Sequence, residues 1–268
     1  MFNSWHCHGV RMHAARTFEL NGIGMYCEVH GEGEPLVLLH GGTGAGSDWR
    51  YVFDEPLEGC RAIVPDLRGH GRSTNPSGIL TVRQVASDVL ALMDRLGVER
   101  FKAIGMSLGA KTLLHVATAQ PARVDAMVLV SATPYFPSQA RALMAQSNAD
   151  TLTEGEWEVL RRKHVHGDEQ IRALHAQMRA FKDSYDDMNF TPPYLSTISA
   201  RTLIVHGDRD PLYPVNLAVE LYTAIPRAAL WVVPNGGHGP IFGPMAPRFR
   251  ETALEFLNIP SPLGRGSG

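Results

Sequence analysis

A strand, a sharp corner and a helix follow one another without a gap in the middle of this chain. The run Phe101–Met106 is apolar and extended in character, and Leu108–Gln120 continues at helical spacing. The corner between them reads Gly105-Met106-Ser107-Leu108-Gly109, with a glycine two residues to either side of the serine. A turn this tight strains the serine backbone, and a Cβ at either glycine would collide with the neighbouring strand or helix. The pattern therefore predicts that Ser107 Oγ projects out of the core into a cleft, beside the positive end of a helix.

Strands and helices alternate along most of the sequence. Thr17–Leu20 and Met25–Val29 are joined by Asn21-Gly22, whose tolerance of positive φ favours a type I′ hairpin. The clearest helix is Thr81–Leu96, which has an apolar stripe, a capping box at its start and Gly97 at its end. The other predicted strands are Leu36–Leu39, Ala62–Val64, Phe101–Met106, Ala126–Val130, Thr202–His206 and Ala229–Val233, and the other predicted helices are Leu108–Gln120, Val215–Ile225 and Pro247–Leu257. Such alternation predicts a mostly parallel central sheet with helices on both faces, reached through an antiparallel hairpin.

The alternation stops between Thr133 and Ser199. This segment is helix-like and rich in Met and aromatic residues. It predicts a helical cap insertion above the C-terminal edge of the sheet, although a pair of packed surface helices would also account for most of its apolar content. The expected division of the chain is an N-terminal extension at 1–16, a core domain at 17–133 and 200–260, the cap at 134–199 and a flexible tail at 261–268.

Composition limits the partners of this chain. Its 268 residues are 44% hydrophobic, enough for a substantial core, and 25 Lys and Arg nearly balance 27 Asp and Glu without a basic block. We therefore expect a small-molecule partner and neither nucleic acid nor a membrane. Cys7, Cys27 and Cys60 follow no disulfide or metal-ligand spacing, and neither a signal peptide nor a span-length apolar run is visible. A cytoplasmic protein without metal or cofactor is expected, and its oligomeric state is open.

A serine hydroxyl becomes a useful nucleophile only next to a base that a carboxylate orients. His238 stands out as the base, because PNGGHGPIF follows the strand Ala229–Val233 and its glycines let the imidazole reach over the sheet edge. Asp208 and Asp210 both follow Thr202–His206, and spacing alone does not decide which of them orients the base. Ordinary structural roles are expected for His6, His8, His13, His115, His164, His166, His175 and His206.

The candidate residues occur in the order Ser, Asp, His, and the chain resembles the α/β-hydrolase superfamily from about Phe18 to Ile259. The resemblance implies an α/β-hydrolase fold, in which Asp66 and Arg68 tie down a loop rather than touch substrate. The resemblance rests on five motifs that occur in the family's order. They are His40-Gly41-Gly42, then Asp66, Arg68, Gly69, Gly71 and Ser73, then the corner at Ser107, then Gly207, Asp210 and Pro214, and finally Gly237-His238.

The same resemblance implies roles that spacing leaves open. It favours Asp210 as the acid and keeps Asp208 in reserve. An acyl-transfer mechanism also needs N–H donors to a developing oxyanion. The backbone N–H of Leu108, directly after the nucleophile, is one such donor, and the resemblance points to Gly42 for the second.

The predicted function is that of a serine carboxylesterase, which cleaves a small to medium, largely apolar ester through an acyl-enzyme. The same three side chains also serve hydrolases of C–C bonds in ring-cleavage products, lactone or thioester hydrolases, cofactor-free perhydrolases and acyltransferases, and these stay open as alternatives. Haloalkane dehalogenases and epoxide hydrolases carry Asp at the corner, so Ser107 argues against both. A non-catalytic small-molecule receptor on the same scaffold is the alternative of another class.

Overall fold

An eight-stranded sheet runs through the part of the chain that the computed structural model describes, residues 12–54 and 57–260. Its strands are β1 (Met12–Leu20), β2 (Ile23–His30), β3 (Glu34–Leu39), β4 (Cys60–Pro65), β5 (Phe101–Met106), β6 (Val124–Val130), β7 (Arg201–Gly207) and β8 (Ala228–Val233). They lie in the order β1-β2-β4-β3-β5-β6-β7-β8. The β1–β2 and β2–β4 pairs are antiparallel, and the other neighbouring pairs are parallel. The predicted mostly parallel sheet, reached through an antiparallel hairpin, is confirmed.

Helices pack on both faces of this sheet. They are α1 (Val82–Arg95), α2 (Leu108–Ala119), α3 (Ser138–Met144), α4 (Glu154–Lys163), α5 (Asp168–Ala180), α6 (Pro192–Leu195), α7 (Val215–Ala224) and α8 (Ala246–Phe256). Successive residues of a strand point to opposite faces. Val37 of β3 belongs to the apolar cluster that contains α1, α2 and α7, whereas Leu38 belongs to the cluster that contains α8. The sheet is thus buried on two sides, which explains why its strands are short, nearly continuous apolar runs.

The first strand is longer than the sequence predicts. β1 begins at Met12 rather than Thr17 and pairs with β2 along its length. Residues 12–16, expected to belong to a loose extension, are therefore part of the sheet, while residues 1–11 and the predicted tail at 261–268 lie outside the described residues. Backbone N–H and carbonyl groups form the hydrogen bonds between β1 and β2, and these bonds do not require alternating apolar side chains. The sequence of residues 12–16 has no such alternation, so it does not predict a strand there.

The helices α3 to α6 occupy the stretch between β6 and β7 where the strand pattern stops. Most of its buried apolar side chains continue the core of the sheet: Phe136, Phe181, Met188 and Phe190 belong to the same cluster as α1 and α2. A small separate cluster around Trp157 joins α4 to α5. The bounds of a cap at 134–199 stay a prediction.

No helix in the described ranges has the length and apolar character needed to cross a lipid bilayer. The two cysteines within those ranges, Cys27 and Cys60, are buried free thiols. Burial raises the pKa of Cys27 to about 12 and that of Cys60 to about 11, so neither thiol is poised to react near neutral pH.

The loop after β4 is held by polar contacts, as the resemblance implies. Asp66 accepts hydrogen bonds from the backbone N–H groups of Gly46 and Arg72, each at 2.8 Å. Arg68 forms a buried ion pair with Asp88 of α1 through two hydrogen bonds of 2.8 Å. Burial raises the pKa of Asp88, although the Arg68 guanidinium acts in the opposite direction. These contacts join the loop to α1 and to the segment after β3, and they give Asp66 and Arg68 a structural role.

Candidate active site

The corner between β5 and α2 has the strained geometry that its sequence predicts. Ser107 lies there with φ of 47° and ψ of −102°, a conformation that residues other than glycine rarely adopt. A Cβ built on Gly109 would lie 2.2 Å from the carbonyl oxygen of Leu39 in β3, and one built on Gly105 would lie 2.6 Å from the Gly109 backbone. Only glycine fits at both places, so strand and helix approach closely enough to put Ser107 at the tip of the turn.

Ser107, His238 and Asp210 form one chain of hydrogen bonds. The Ser107 hydroxyl lies 2.9 Å from His238 Nε2, and His238 Nδ1 lies 2.8 Å from Asp210 Oδ2. With the Nδ1 proton directed at the carboxylate, Nε2 is left to accept the serine proton. Ser107 and Asp210 are buried, and the His238 side chain is 22% exposed. Such an arrangement can activate a hydroxyl for attack on a carbonyl carbon.

Asp210, and not Asp208, is the carboxylate that reaches the imidazole. Its Oδ1 accepts hydrogen bonds from the backbone N–H groups of Leu212 (2.8 Å) and Tyr213 (3.1 Å), which leaves Oδ2 for His238. Burial would raise the pKa of Asp210, but the bonds from His238 and the two N–H groups outweigh burial and hold that pKa below its usual value. Asp208 is exposed to solvent two residues away. The structure thus separates the two candidates that spacing leaves open.

The backbone N–H groups of Gly42 and Leu108 lie at this corner, and no described residue accepts a hydrogen bond from either. Leu108 is the first residue of α2, where N–H groups have no partner within the helix. The Gly42 loop adjoins the corner, since a Cβ built on Gly41 would lie 3.7 Å from Ser107 Cβ. Both groups are placed where donors to an oxyanion would be needed, and that role stays a prediction.

His40 fixes the peptide unit that carries the Gly42 N–H. Its Nδ1–H donates to the Gly41 carbonyl at 2.7 Å, and Gly44 N–H donates to the same oxygen at 3.1 Å. Because a peptide unit is planar, holding the Gly41 carbonyl also sets the direction of the Gly42 N–H on its other side. His40 Nε2 accepts from Leu67 N–H at 2.9 Å, and burial lowers the pKa of the imidazole, which keeps it neutral for both bonds.

A histidine from between α4 and α5 also supports this loop. His164 accepts from Gly71 N–H at Nδ1 (2.9 Å) and donates from Nε2 to the Thr43 carbonyl (3.0 Å). Burial lowers the pKa of His164 to about 4 and holds that of His70 well below its usual value. The rings of His40, His70 and His164 form a row with centroids 5.1 and 6.2 Å apart. The sequence predicts an ordinary structural role for His164, but it does not predict that His164 supports the loop that carries Gly42 and Thr43.

Three further side chains reach the site, and of these only Met178 lies in a stretch that the sequence singles out, the Met-rich segment between Thr133 and Ser199. Ser131 Oγ–H donates to the His238 carbonyl at 2.8 Å. The Tyr213 ring meets the His238 imidazole edge-on, with centroids 5.3 Å apart. Met178 of α5 covers Gly42, because a Cβ built on that glycine would lie 2.8 Å from the Met178 sulfur. Ser131 and Tyr213 thus hold His238 in place, and Met178 lies against Gly42.

Comparison with known proteins identifies the fold. The family model for the α/β hydrolase fold matches residues 34–155. A solved enol-lactonase from Burkholderia xenovorans is 25% identical with a TM-score of 0.71, and the match covers 89% of this chain and 98% of the other. The chain has the α/β-hydrolase fold.

Two further proteins are similar to this chain. The 2-hydroxy-6-oxononadienedioate/2-hydroxy-6-oxononatrienedioate hydrolase 2 of Pseudomonas putida is 29% identical over 85% of this chain and 89% of its own. The structure of the 2-hydroxy-6-oxo-6-phenylhexa-2,4-dienoate hydrolase of Rhodococcus sp. matches with a TM-score of 0.77 over 93% of this chain and all of the other, and at 20% identity it shows the fold alone. The family and the P. putida relative support a hydrolase as the class of enzyme.

We expect Asp210→Asn to lower kcat by on the order of 10³ or more, because an amide no longer holds His238 in the tautomer that accepts the serine proton. Asp208→Asn is the matched control in the same loop, and its exposed side chain should leave kcat within about twofold of the wild type. Steady-state kinetics with p-nitrophenyl butyrate, beside circular dichroism to check folding, measure both. A larger loss at position 208 would show that the acid is wrongly assigned.

Proposed function

We propose that this α/β-hydrolase is a serine carboxylesterase that cleaves small to medium, uncharged and largely apolar esters. The observation that carries the proposal is the unbroken hydrogen-bond chain from Ser107 Oγ through His238 to Asp210. Beside it, no described residue accepts from the N–H groups of Gly42 and Leu108. Together these groups supply a nucleophile, a base, a carboxylate that orients the base, and donors for an oxyanion.

The chemistry follows from these positions. Ser107 Oγ attacks the ester carbonyl carbon while His238 Nε2 takes the hydroxyl proton, and the carbonyl oxygen becomes an oxyanion that the two N–H groups stabilise. The bond from the carbonyl carbon to the alcohol oxygen then breaks, and that oxygen takes the proton from His238 while the acyl group stays on Ser107. Water repeats the sequence on the acyl-enzyme and releases the carboxylic acid and the free serine.

The positive charges of residues 134–199 are already engaged, which favours an uncharged substrate. Each Arg and Lys between residues 134 and 199 contacts a carboxylate or a backbone carbonyl. The contacts are Arg141 with the carbonyls of Phe136, Phe181, Lys182 and Ser184, Arg161 with Glu154 and Asp168, Arg162 with Glu158, Lys163 with Asp48, Arg172 with Asp150 and Glu169, Arg179 with the Ala145 carbonyl, and Lys182 with Asp183. An acidic substrate group would have to displace one of these partners or be desolvated without one.

Two methionines beside the glycines of this site give a second reason for an apolar substrate. Met178 lies on Gly42, and Met106 Cε lies near Gly239, 3.6 Å from where a Cβ on that glycine would be. Thioether side chains are apolar and flexible, so they pack against acyl chains of differing shape. The surroundings of the hydroxyl therefore suit the hydrocarbon part of an ester.

Hydrolysis of a C–C bond is the second candidate, and the name of the P. putida relative favours it. In that reaction the bond from the attacked carbonyl carbon to a carbon leaving group breaks, and a proton must reach that carbon instead of an oxygen. Ser107, His238 and Asp210 could serve both reactions. The name of the relative describes a dienedioate, an acid with two carboxylates, and such a substrate needs cationic partners that the segment 134–199 already commits elsewhere.

We expect kcat/KM for p-nitrophenyl acetate, butyrate or octanoate to exceed that for a 2-hydroxy-6-oxo-dienoate by at least about tenfold, because the Arg and Lys side chains of residues 134–199 already contact carboxylates or carbonyls and would have to leave them for the acid group. Ser107→Ala should abolish turnover of every substrate. Spectrophotometric rates measure both. Faster turnover of the dienoate would support the C–C hydrolase, and one stoichiometric burst without turnover would support the receptor.

We expect Met178→Ala to shift the preference toward longer acyl chains, because its thioether covers Gly42. The ratio of kcat/KM for p-nitrophenyl octanoate to that for the acetate should rise about tenfold. Met245→Ala is the matched control, since Met245 is also half-buried but packs on the opposite face of the sheet with α8. An unchanged ratio in Met178→Ala would remove this side chain from the acyl pocket.

A further inference from the structure

A lysine is buried behind the candidate active site. Lys111 lies one helical turn after Ser107 on α2, and only 4% of it is exposed. Its Nζ donates to the Tyr213 hydroxyl at 2.8 Å. No carboxylate among the described residues forms an ion pair with it, and Asp187 and Asp210 act on its charge only from a distance. This side chain therefore has one strong partner, and that partner is Tyr213.

Aromatic rings surround the amino group. Nζ lies 4.9 Å from the ring centre of Phe136, 5.3 Å from that of Tyr213 and 6.0 Å from that of Phe181. Ring faces attract a cation, but they replace only part of its hydration. Burial lowers the pKa of Lys111 to about 7, although the two carboxylates favour the charged form. A lysine in this place costs stability, so packing alone does not account for it.

Tyr213 connects Lys111 to the candidate catalytic residues. This tyrosine is fully buried, its backbone N–H donates to Asp210 Oδ1 at 3.1 Å, and its carbonyl accepts from His206 Nε2 at 2.8 Å. Its ring packs edge-on against His238 with centroids 5.3 Å apart. The phenol hydroxyl is the other polar group of Tyr213, and it accepts a hydrogen bond from Lys111 Nζ.

We propose that Lys111 is a positioning residue for the reaction at Ser107. By donating to the Tyr213 hydroxyl, it holds the Tyr213 ring against His238 and keeps the imidazole turned so that Nε2 faces the serine. Lys111 acts through Tyr213 and does not touch the substrate. The inference rests on the proposed function, because it assigns the lysine to the side chains that carry out that reaction.

A positioning role and a structural role predict opposite stabilities for Lys111→Met. The folded-state pKa of about 7 lies below the ordinary value of 10.5, so the unfolded chain binds more protons between these pH values and the wild type gains stability as pH rises through this window. Methionine does not titrate. We expect Lys111→Met to unfold at the same or a higher temperature than the wild type at pH 7, with the difference narrowing toward pH 10. A lysine kept for stability would give a less stable variant at pH 7.

The test compares Lys111→Met, Tyr213→Phe and the double variant, with Lys102→Met at the far end of β5 as control. A fluorophosphonate probe reports the reactivity of Ser107 whatever the natural substrate is, and p-nitrophenyl butyrate reports kcat and KM. We expect each single variant to lower the labelling rate and kcat about tenfold with KM within about twofold, and the double variant to lose little more than one of them. The control should keep wild-type rates.

The outcomes separate this inference from the proposed function. A folded wild type that the probe does not label at Ser107 would refute the proposed function itself. A labelled wild type beside a folded Lys111→Met that is labelled equally fast would refute only the role of Lys111. Losses that add up in the double variant would also refute it, because residues that act as one unit do not lose activity independently.

Discussion

The contact between the backbone of β3 and the start of α2 is the constraint on which the rest of the site depends. Gly109 N–H donates to the His40 carbonyl at 3.1 Å, and the Cβ position of Gly109 falls 2.2 Å from the Leu39 carbonyl oxygen. No side chain fits between these two backbones. The approach that strains Ser107 therefore also brings the loop that follows His40 beside it, together with the N–H group of Gly42.

The order of strands assembles the remaining parts. Parallel strands end at the same edge of a sheet, so the residues that follow them meet there. β5 ends at Ser107, β7 leads to Asp210 and β8 leads to His238. β6 lies between β5 and β7, and Ser131 at its end holds the His238 carbonyl. Every strand of this half thus contributes one group to the site. Backbone N–H groups hold the Asp210 carboxylate, and the Ser131 hydroxyl holds the His238 carbonyl.

The sequence is sufficient to place most strands and helices and the candidate residues Ser107 and His238, because each depends on a local pattern. Apolar runs mark the strands, and Gly-x-Ser-x-Gly marks a corner where only glycine fits. The choice of Asp210 over Asp208 depends on how the folded loop directs two carboxylates, and spacing does not encode that. The contacts of Lys111 and His164 join residues 102 and 121 positions apart, and no periodicity describes such pairs. The early start of β1 likewise depends on its partner strand.

The row of buried imidazoles next to the loop that carries Gly42 makes the folded protein sensitive to acid. His40, His70 and His164 have folded-state pKa values below the ordinary 6.5, so the unfolded chain binds more protons once the pH falls under that value, and folding becomes less favourable. The low pKa of Asp210 keeps its carboxylate charged over the first part of the same descent. As the pH falls, the histidines that support the Gly42 loop therefore lose stability first, while the Asp210 carboxylate is still charged and can still bind His238.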